Sequence, residues 1–98
     1  MWEKDLKMEI IFSPRFEDEL YGIADFIALD NQARSDLFVD KIESMCHNLV
    51  DMPYRCRKSM KFDDENIREL IFKGYIIPYH IKNDQIIILG IYKENIWQ

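Results

Sequence analysis

Glycine and proline are scarce in this chain, three of each. That excludes a flexible linker or a Pro-rich tract. With 98 residues, the chain reads as one domain over 1–98. Cysteine is scarcer still. Cys46 and Cys56 are too few for a disulfide framework, and no His/Cys set has zinc-ligand spacing. Both read as free thiols, and neither a metal nor a cofactor is expected. Long hydrophobic runs are missing too. The stretch Ile86 to Ile91, with Gly90 inside it, is far too short to span a bilayer. The opening MWEKDLK is charged and lacks an apolar core, so it does not read as a secretory signal. A cytoplasmic protein with no membrane attachment is expected.

Positive charge is also in short supply. Thirteen Lys and Arg face 18 Asp and Glu, a net charge of −5. A dedicated nucleic-acid binder is usually basic, because phosphate contacts dominate its affinity. The charge is unevenly spread. Residues 1–51 carry 12 acids and 5 bases; residues 52–98 carry 6 acids and 8 bases. Only the C-terminal half suits an anionic partner.

What is present is patterned apolar sequence. Lys7 to Phe12 reads as a first strand. Ser13 is placed to cap a helix whose first position is Pro14. Phe16, Leu20, Ile23 and Ile27 then form one apolar stripe at helical spacing. Asp30-Asn31 ends this helix or caps the next. Leu37, Phe38, Ile42, Met45 and Leu49 mark a second stripe, stopped by Pro53. The short join predicts a helical hairpin. Residues 53–66 read as a loop. Three strands follow, about Ile67 to Lys73, Tyr75 to Lys82 and Gln85 to Tyr92, with Gly74 and Asn83-Asp84 at the turns. Pro78 cannot donate a ladder hydrogen bond, so it should face an unpaired site or a bulge. The predicted class is α+β, in the order β-α-α-β-β-β, with the hairpin on one face of a small antiparallel sheet.

Two helices cover only one face of such a sheet. Yet Ile67 to Phe72 and Ile86 to Leu89 are apolar on both parities. The expectation is an uncovered apolar set, which usually marks a partner site. The tail KENIWQ or Trp2 folding over it is the plainer alternative. A two-fold dimer through that face would hide it equally well.

The ordered set Arg68-Glu69-Leu70, Gly74-Tyr75, Tyr79, Ile81 and Ile86 to Ile91 resembles toxins of the RelE/ParE superfamily, from bacterial type II toxin–antitoxin modules. The helical segment YGIADFIALDNQARSDLFVDKI, followed by LVDMPYR, is similar to the family's helical hairpin. The resemblance covers nearly the whole chain, although no single motif is diagnostic. It implies a growth-inhibiting protein, of the kind tied to plasmid stabilisation, neutralised by a cognate antitoxin whose extended segment wraps the toxin. On that reading Ile67, Ile71, Arg55, Arg57 and Lys58 are the candidate antitoxin contacts, in a toxin–antitoxin hetero-oligomer.

The superfamily divides by target. RelE-like members cut mRNA on the ribosome, whereas ParE-like members inhibit DNA gyrase. RNA cleavage needs a base, an acid and cations for the phosphorane-like transition state. Aligned on Gly74-Tyr75, the family's catalytic Arg falls at Ile71 and its C-terminal basic position near Ile96. Gln98 is reached without a terminal catalytic Tyr. These departures and the acidic charge favour the ParE-like reading over the nuclease. A displaced catalytic set would draw on Lys73, His80 and Lys93. Lys93 and Trp97 are the candidate target contacts, because the tail is free of core duties. An inactive homologue that only binds antitoxin is the third reading. His80 also reads as a partner-facing residue, and His47 suits the end of a helix. The basic loop Arg55 to Lys61 reads equally as solvated charge. Arg68 shares a face with Leu70 and Phe72 and is expected to pair with Glu17, Asp18 or Asp25.

Overall fold

A computed structural model describes residues 8–93. Strand β1 (Glu9–Phe12) leads into helix α1 (Pro14–Ala28) and helix α2 (Gln32–His47), which a 3₁₀ turn, Asn48–Val50, extends. Strands β2 (Arg57–Lys58), β3 (Ile67–Phe72), β4 (Tyr75–Lys82), β5 (Gln85–Ile88) and β6 (Tyr92–Lys93) complete the chain. The sheet order is β1-β5-β4-β3-β2, with β6 also on β4.

The helices start where the side chains allow them to. Ser13 accepts from the Phe16 amide at 3.1 Å, with Pro14 at the first position. Asn31 accepts from the Arg34 amide at 2.9 Å and so caps α2 rather than ending α1. The buried Ser35 hydroxyl donates to the Ala24 carbonyl at 2.7 Å, fastening α2 to α1. Phe16, Leu20, Ile42, Cys46 and Leu49 pack on Leu70, Ile77, Tyr79, Ile81, Ile86, Ile88 and Ile91 of the sheet. Each such side chain contributes about 1.5–3 kcal/mol by leaving water. The α+β hairpin-on-sheet architecture matches the sequence reading.

The sheet itself is mixed. β1 pairs with β5 in parallel, Glu9 opposite Gln85 and Phe12 opposite Ile88. The helical hairpin serves as the crossover that a parallel pair requires. The remaining pairs are antiparallel. The β3–β4 turn places Lys73 and Gly74 at φ 50° and 85°, both in the left-handed region that a two-residue hairpin requires. Asn83, at φ 55°, does the same between β4 and β5.

Pro78 sits in the central strand, and it divides the third predicted strand in two. The Leu89 amide donates to the Pro78 carbonyl at 2.9 Å, but Pro78 has no N–H to return the bond. Ser13 Oγ fills that place, donating to the Leu89 carbonyl at 3.2 Å. Beyond it the register against β4 slips by one residue, from Tyr79 opposite Ile88 to Ile76 opposite Tyr92. This is a β-bulge, as the proline predicted. Glu19 of α1 caps it: its Oε1 accepts from the Ile91 amide at 3.0 Å, while Arg15 Nε holds Oε2 at 3.0 Å. A side chain at position 90 would put its Cβ 2.6 Å from that Glu19 oxygen.

Both cysteines are free. Burial, and then the charge of Glu43, push the Cys46 thiol up to about 12 from 9.0. Its contribution to stability is therefore whole below pH 9 and is lost as pH rises toward 12. At pH 8, a thiol-reactive dye should label native protein at Cys56 and spare Cys46 until unfolding; rapid labelling of both would contradict this packing. Ser13→Ala removes the α1 cap and the bond to Leu89 together. It should cost roughly 1–2 kcal/mol, read as a lower urea midpoint.

Candidate protein-interaction site

The segment between α2 and β3 is tied down on both sides of the sheet. On the helix side, Arg68 donates to the carbonyls of Glu65 (3.0 Å), Tyr54 (3.3 Å) and Cys56 (3.2 Å). Its guanidinium lies 4.9 Å from the Tyr54 ring centre. Tyr54 in turn donates to Asn66 Oδ1 at 2.6 Å. The expected partners on α1 (Glu17, Asp18, Asp25) are replaced by loop carbonyls. Arg68 lies at the end of β3 where the loop, not α1, covers the sheet. Tyr79 donates to the Pro53 carbonyl at 2.6 Å. Burial, and then its hydrogen bond with Cys56, hold this phenol well above its ordinary range.

On the opposite face, Glu69 is 2% exposed. Its carboxylate is fully engaged. Oε1 takes the Arg57 guanidinium at 2.9 Å; Oε2 accepts from Ser59 Oγ at 3.0 Å and from the Met60 amide at 3.2 Å. Ser59 Oγ then accepts from the amides of Lys61 and Phe62. Lys61 reaches across β4 to sit 4.3 Å from the Tyr92 ring centre. His80 Nε2 stands 4.0 Å from Asp64 Oδ2.

This strap overturns the expectation of a bare second sheet face. Ile67, expected as an open contact, is 9% exposed, and Ile76 and Pro78 are buried beside it. Their apolar character on both parities goes with burial on both faces of the sheet. Ile71 alone of β3's residues on that face is exposed. Arg55 and Lys58 are exposed, and so is Arg57, although Glu69 holds its guanidinium.

The larger exposed apolar surface is at the tip of the helical hairpin. Phe26, Leu29 and Leu37 are 75%, 85% and 68% exposed. Leu37, expected within the second buried stripe, faces solvent because α2 turns Phe38 and Val39 toward the core instead. These residues border a groove of about 920 Å³ between the hairpin and the β3–β4 turn. Phe38 forms its wall, 5.4 Å from the Tyr75 ring and 6.3 Å from Phe72, centre to centre. Arg34, Lys41, Lys73 and Asp30 stand around it. A second depression of about 420 Å³ adjoins, lined by Glu19, Gly22, Ile23, Ile91, Tyr92 and Lys93. Phe26 and Tyr75 line both. Sequence reading missed Phe26 and Leu29, which lie off the Phe16–Ile27 stripe. An apolar sector too wide for one buried face was the available signal.

The three candidate catalytic residues do not converge as a set: Lys73 and Lys93 both stand by Tyr75, and His80 lies apart from them. Lys73 occupies the β3–β4 turn, its ammonium 5.4 Å from the Phe72 ring centre. Lys93 lies 4.6 Å from the Tyr75 ring centre, on the helix side. His80 is on the opposite face, beside Asp64. Trp97 and Trp2 lie outside the described residues. Among the described residues, no group of His, Cys, Asp and Glu is arranged to hold a metal ion, and no helix is long and apolar enough to cross a membrane.

The fold is thus a helical hairpin on a small mixed sheet, with an exposed apolar groove beside the hairpin. The family model described as ParE toxin of type II toxin-antitoxin system, parDE, matches residues 10–95. The chain belongs to that toxin family. Among solved structures, a chain titled as the chromosomal ParDE TA system from P. aeruginosa shares the fold, with a TM-score of 0.75. The match covers 92% of this chain and 99% of that one at 17% identity. No curated protein sequence matches this one.

Glu69→Ala would strip the strap of its anchor and leave Arg57 without its carboxylate. The expected cost is about 2–4 kcal/mol, with faster proteolytic cleavage between residues 53 and 66. An unchanged melting temperature and cleavage pattern would show that the strap is held by something else.

Proposed function

We propose that this chain is the toxin of a two-component module, held inactive by a cognate antitoxin, and that it arrests growth by binding DNA gyrase rather than by cutting RNA. Membership of the ParE toxin family supports the toxin role. The observation that carries the choice of target is the separation of His80, on the opposite sheet face beside Asp64, from Lys73 and Lys93, which both stand by Tyr75. General acid–base chemistry on a 2′-hydroxyl needs its groups within hydrogen-bonding reach of one substrate. Binding a protein target makes no such demand. Lys93 and Trp97 are the proposed target contacts. The neutralised form is a toxin–antitoxin hetero-oligomer in the cytoplasm.

Induction in a sensitive bacterial host, with separate pulse-labelling of DNA and protein synthesis, tests this directly. Early arrest of DNA synthesis with continued translation is the expected result. Early translational arrest with mRNA cut at ribosomal A-sites would replace gyrase by the ribosome; harmless expression would mean a chain that binds antitoxin without poisoning. Lys93→Ala combined with Trp97→Ala should relieve the arrest while preserving the urea midpoint. Undiminished arrest would remove these two residues from the target contact.

A further inference from the structure

The strap between α2 and β3 has a charge that the rest of the chain does not predict. The protein carries −5 overall, yet Tyr54 to Phe62, YRCRKSMKF, holds four cations and no acid. All four cations are exposed. Arg57 is spent on Glu69. Among the described residues, Arg55, Lys58 and Lys61 have no carboxylate within ion-pair distance. Lys61 lies instead over the Tyr92 ring, 4.3 Å from its centre. An exposed aromatic ring closes each end of the run: Tyr54 is 49% exposed and Phe62 is 43% exposed. Asp51 lies before the run, and Asp63 and Glu65 lie after it, all exposed; Asp64 is turned to His80 and the Asn66 amide. These acids confine the positive stretch to a short length.

The run is held in place. It wraps the outer edge of the sheet, where β2 is the last strand. Its start is bound to Arg68 on one face, and its later part to Glu69 on the other. The Ser59 amide donates to the Ile67 carbonyl at 2.8 Å. Tyr54 is fixed twice, by the bond to Asn66 and by the guanidinium over its ring. Groups ordered in advance lose less entropy when a ligand arrives. Fixed cations interleaved with exposed rings suit an unpaired nucleic-acid strand, which offers phosphates to the cations and base faces to the rings. A duplex hides its base faces inside its own stack. An acidic polypeptide offers charge but no flat surface for the rings. The overall charge of −5 acts on the strand mostly from beyond the Debye length of ~8–10 Å, so the local cations decide the contact.

We infer that the strap binds an unpaired nucleic-acid strand, with Arg55, Lys58 and Lys61 on its phosphates and Tyr54 and Phe62 on its bases. The site lies apart from the hairpin groove and goes beyond the toxin reading, on which it does not depend. It gives Arg55 and Lys58, expected from the sequence as antitoxin contacts, a different partner. Three free cations make this a weak, salt-sensitive site. It does not make the chain a dedicated nucleic-acid binder.

The test is fluorescence polarisation of labelled oligothymidylate, oligouridylate and a DNA duplex, each of about twelve nucleotides per strand, with the purified full-length chain. A single strand should bind with a dissociation constant of ~10⁻⁶–10⁻⁴ M, at least about fivefold tighter than the duplex. The tighter of the DNA and RNA strands identifies the natural ligand, and either supports the site. Three phosphate contacts should give a slope of about −2 for log affinity against log salt. Lys58→Glu with Lys61→Glu should weaken binding about tenfold or more and flatten that slope. Phe62→Ala should weaken it about fivefold, whereas Tyr54→Phe, which keeps the ring, should bind within about twofold of wild type. Equal affinity for the duplex removes the stacking and overturns the inference. Competition by polyglutamate as effective as by an unlabelled single strand would assign the strap to an acidic protein segment and overturn it too. So would unaltered binding by the double lysine variant. A urea midpoint equal to wild type separates each loss from misfolding. The growth-arrest assay above reads the toxin role independently, so neither result is mistaken for the other.

Discussion

A proline in the middle of the central strand shapes this molecule more than any apolar contact does. Pro78 leaves the Leu89 carbonyl without its ladder donor, and an unpaired buried backbone group is costly. Ser13 supplies the missing hydrogen and at the same time caps α1. The register slip that follows frees the Ile91 amide, and Glu19, six residues further along α1, takes it. Two successive turns of one helix are thereby fixed to one bulge. The bulge also re-aims the last strand, so that Lys93 lies opposite Tyr75 and lines the depression that adjoins the hairpin groove.

The second organising element is the pair Arg68 and Glu69, adjacent in sequence and on opposite sheet faces. Each binds the same excursion of chain from its own side. Arg68 gathers carbonyls of residues 54, 56 and 65; Glu69 gathers a guanidinium, a hydroxyl and an amide of residues 57, 59 and 60. A segment with little regular structure is thereby held without a large core of its own. Arg57 and Arg68 are spent on the fold, which removes them from the pool available to a substrate. Lys41 and Lys73 line the hairpin groove, and Lys93 the depression beside it.

These two devices together divide the surface by role. The strap is pinned to one face of the sheet, the face on which Ile67, Ile76 and Pro78 are buried. The hairpin tip leaves its own apolar residues in water on the other side. A chain of this size has little stability to spare, so three exposed large apolar residues around one groove are a sustained cost. Partner binding is the reading that gives that cost a purpose.

The helices, their caps and the turns were legible in the sequence, because they depend on neighbours within a few positions. Ser13 and Pro14, Asn31, and the Gly74 and Asn83 turns act through local backbone geometry, and the bulge at Pro78 follows from a missing N–H. Arg68, Glu69, Ile67 and Leu37 were not legible in the same way. Sequence parity assigns a residue to a face but does not say what covers that face. Arg68 turned from α1 to the loop, Ile67 from an open contact to a buried one, and Leu37 from core to solvent. The sequence by itself determined the α+β class and the elements in their order, through short-range periodicity and capping. Only the tertiary structure decided which apolar surface stays exposed, because a strap of irregular chain is fixed to the sheet by long-range hydrogen bonds that leave no periodic trace.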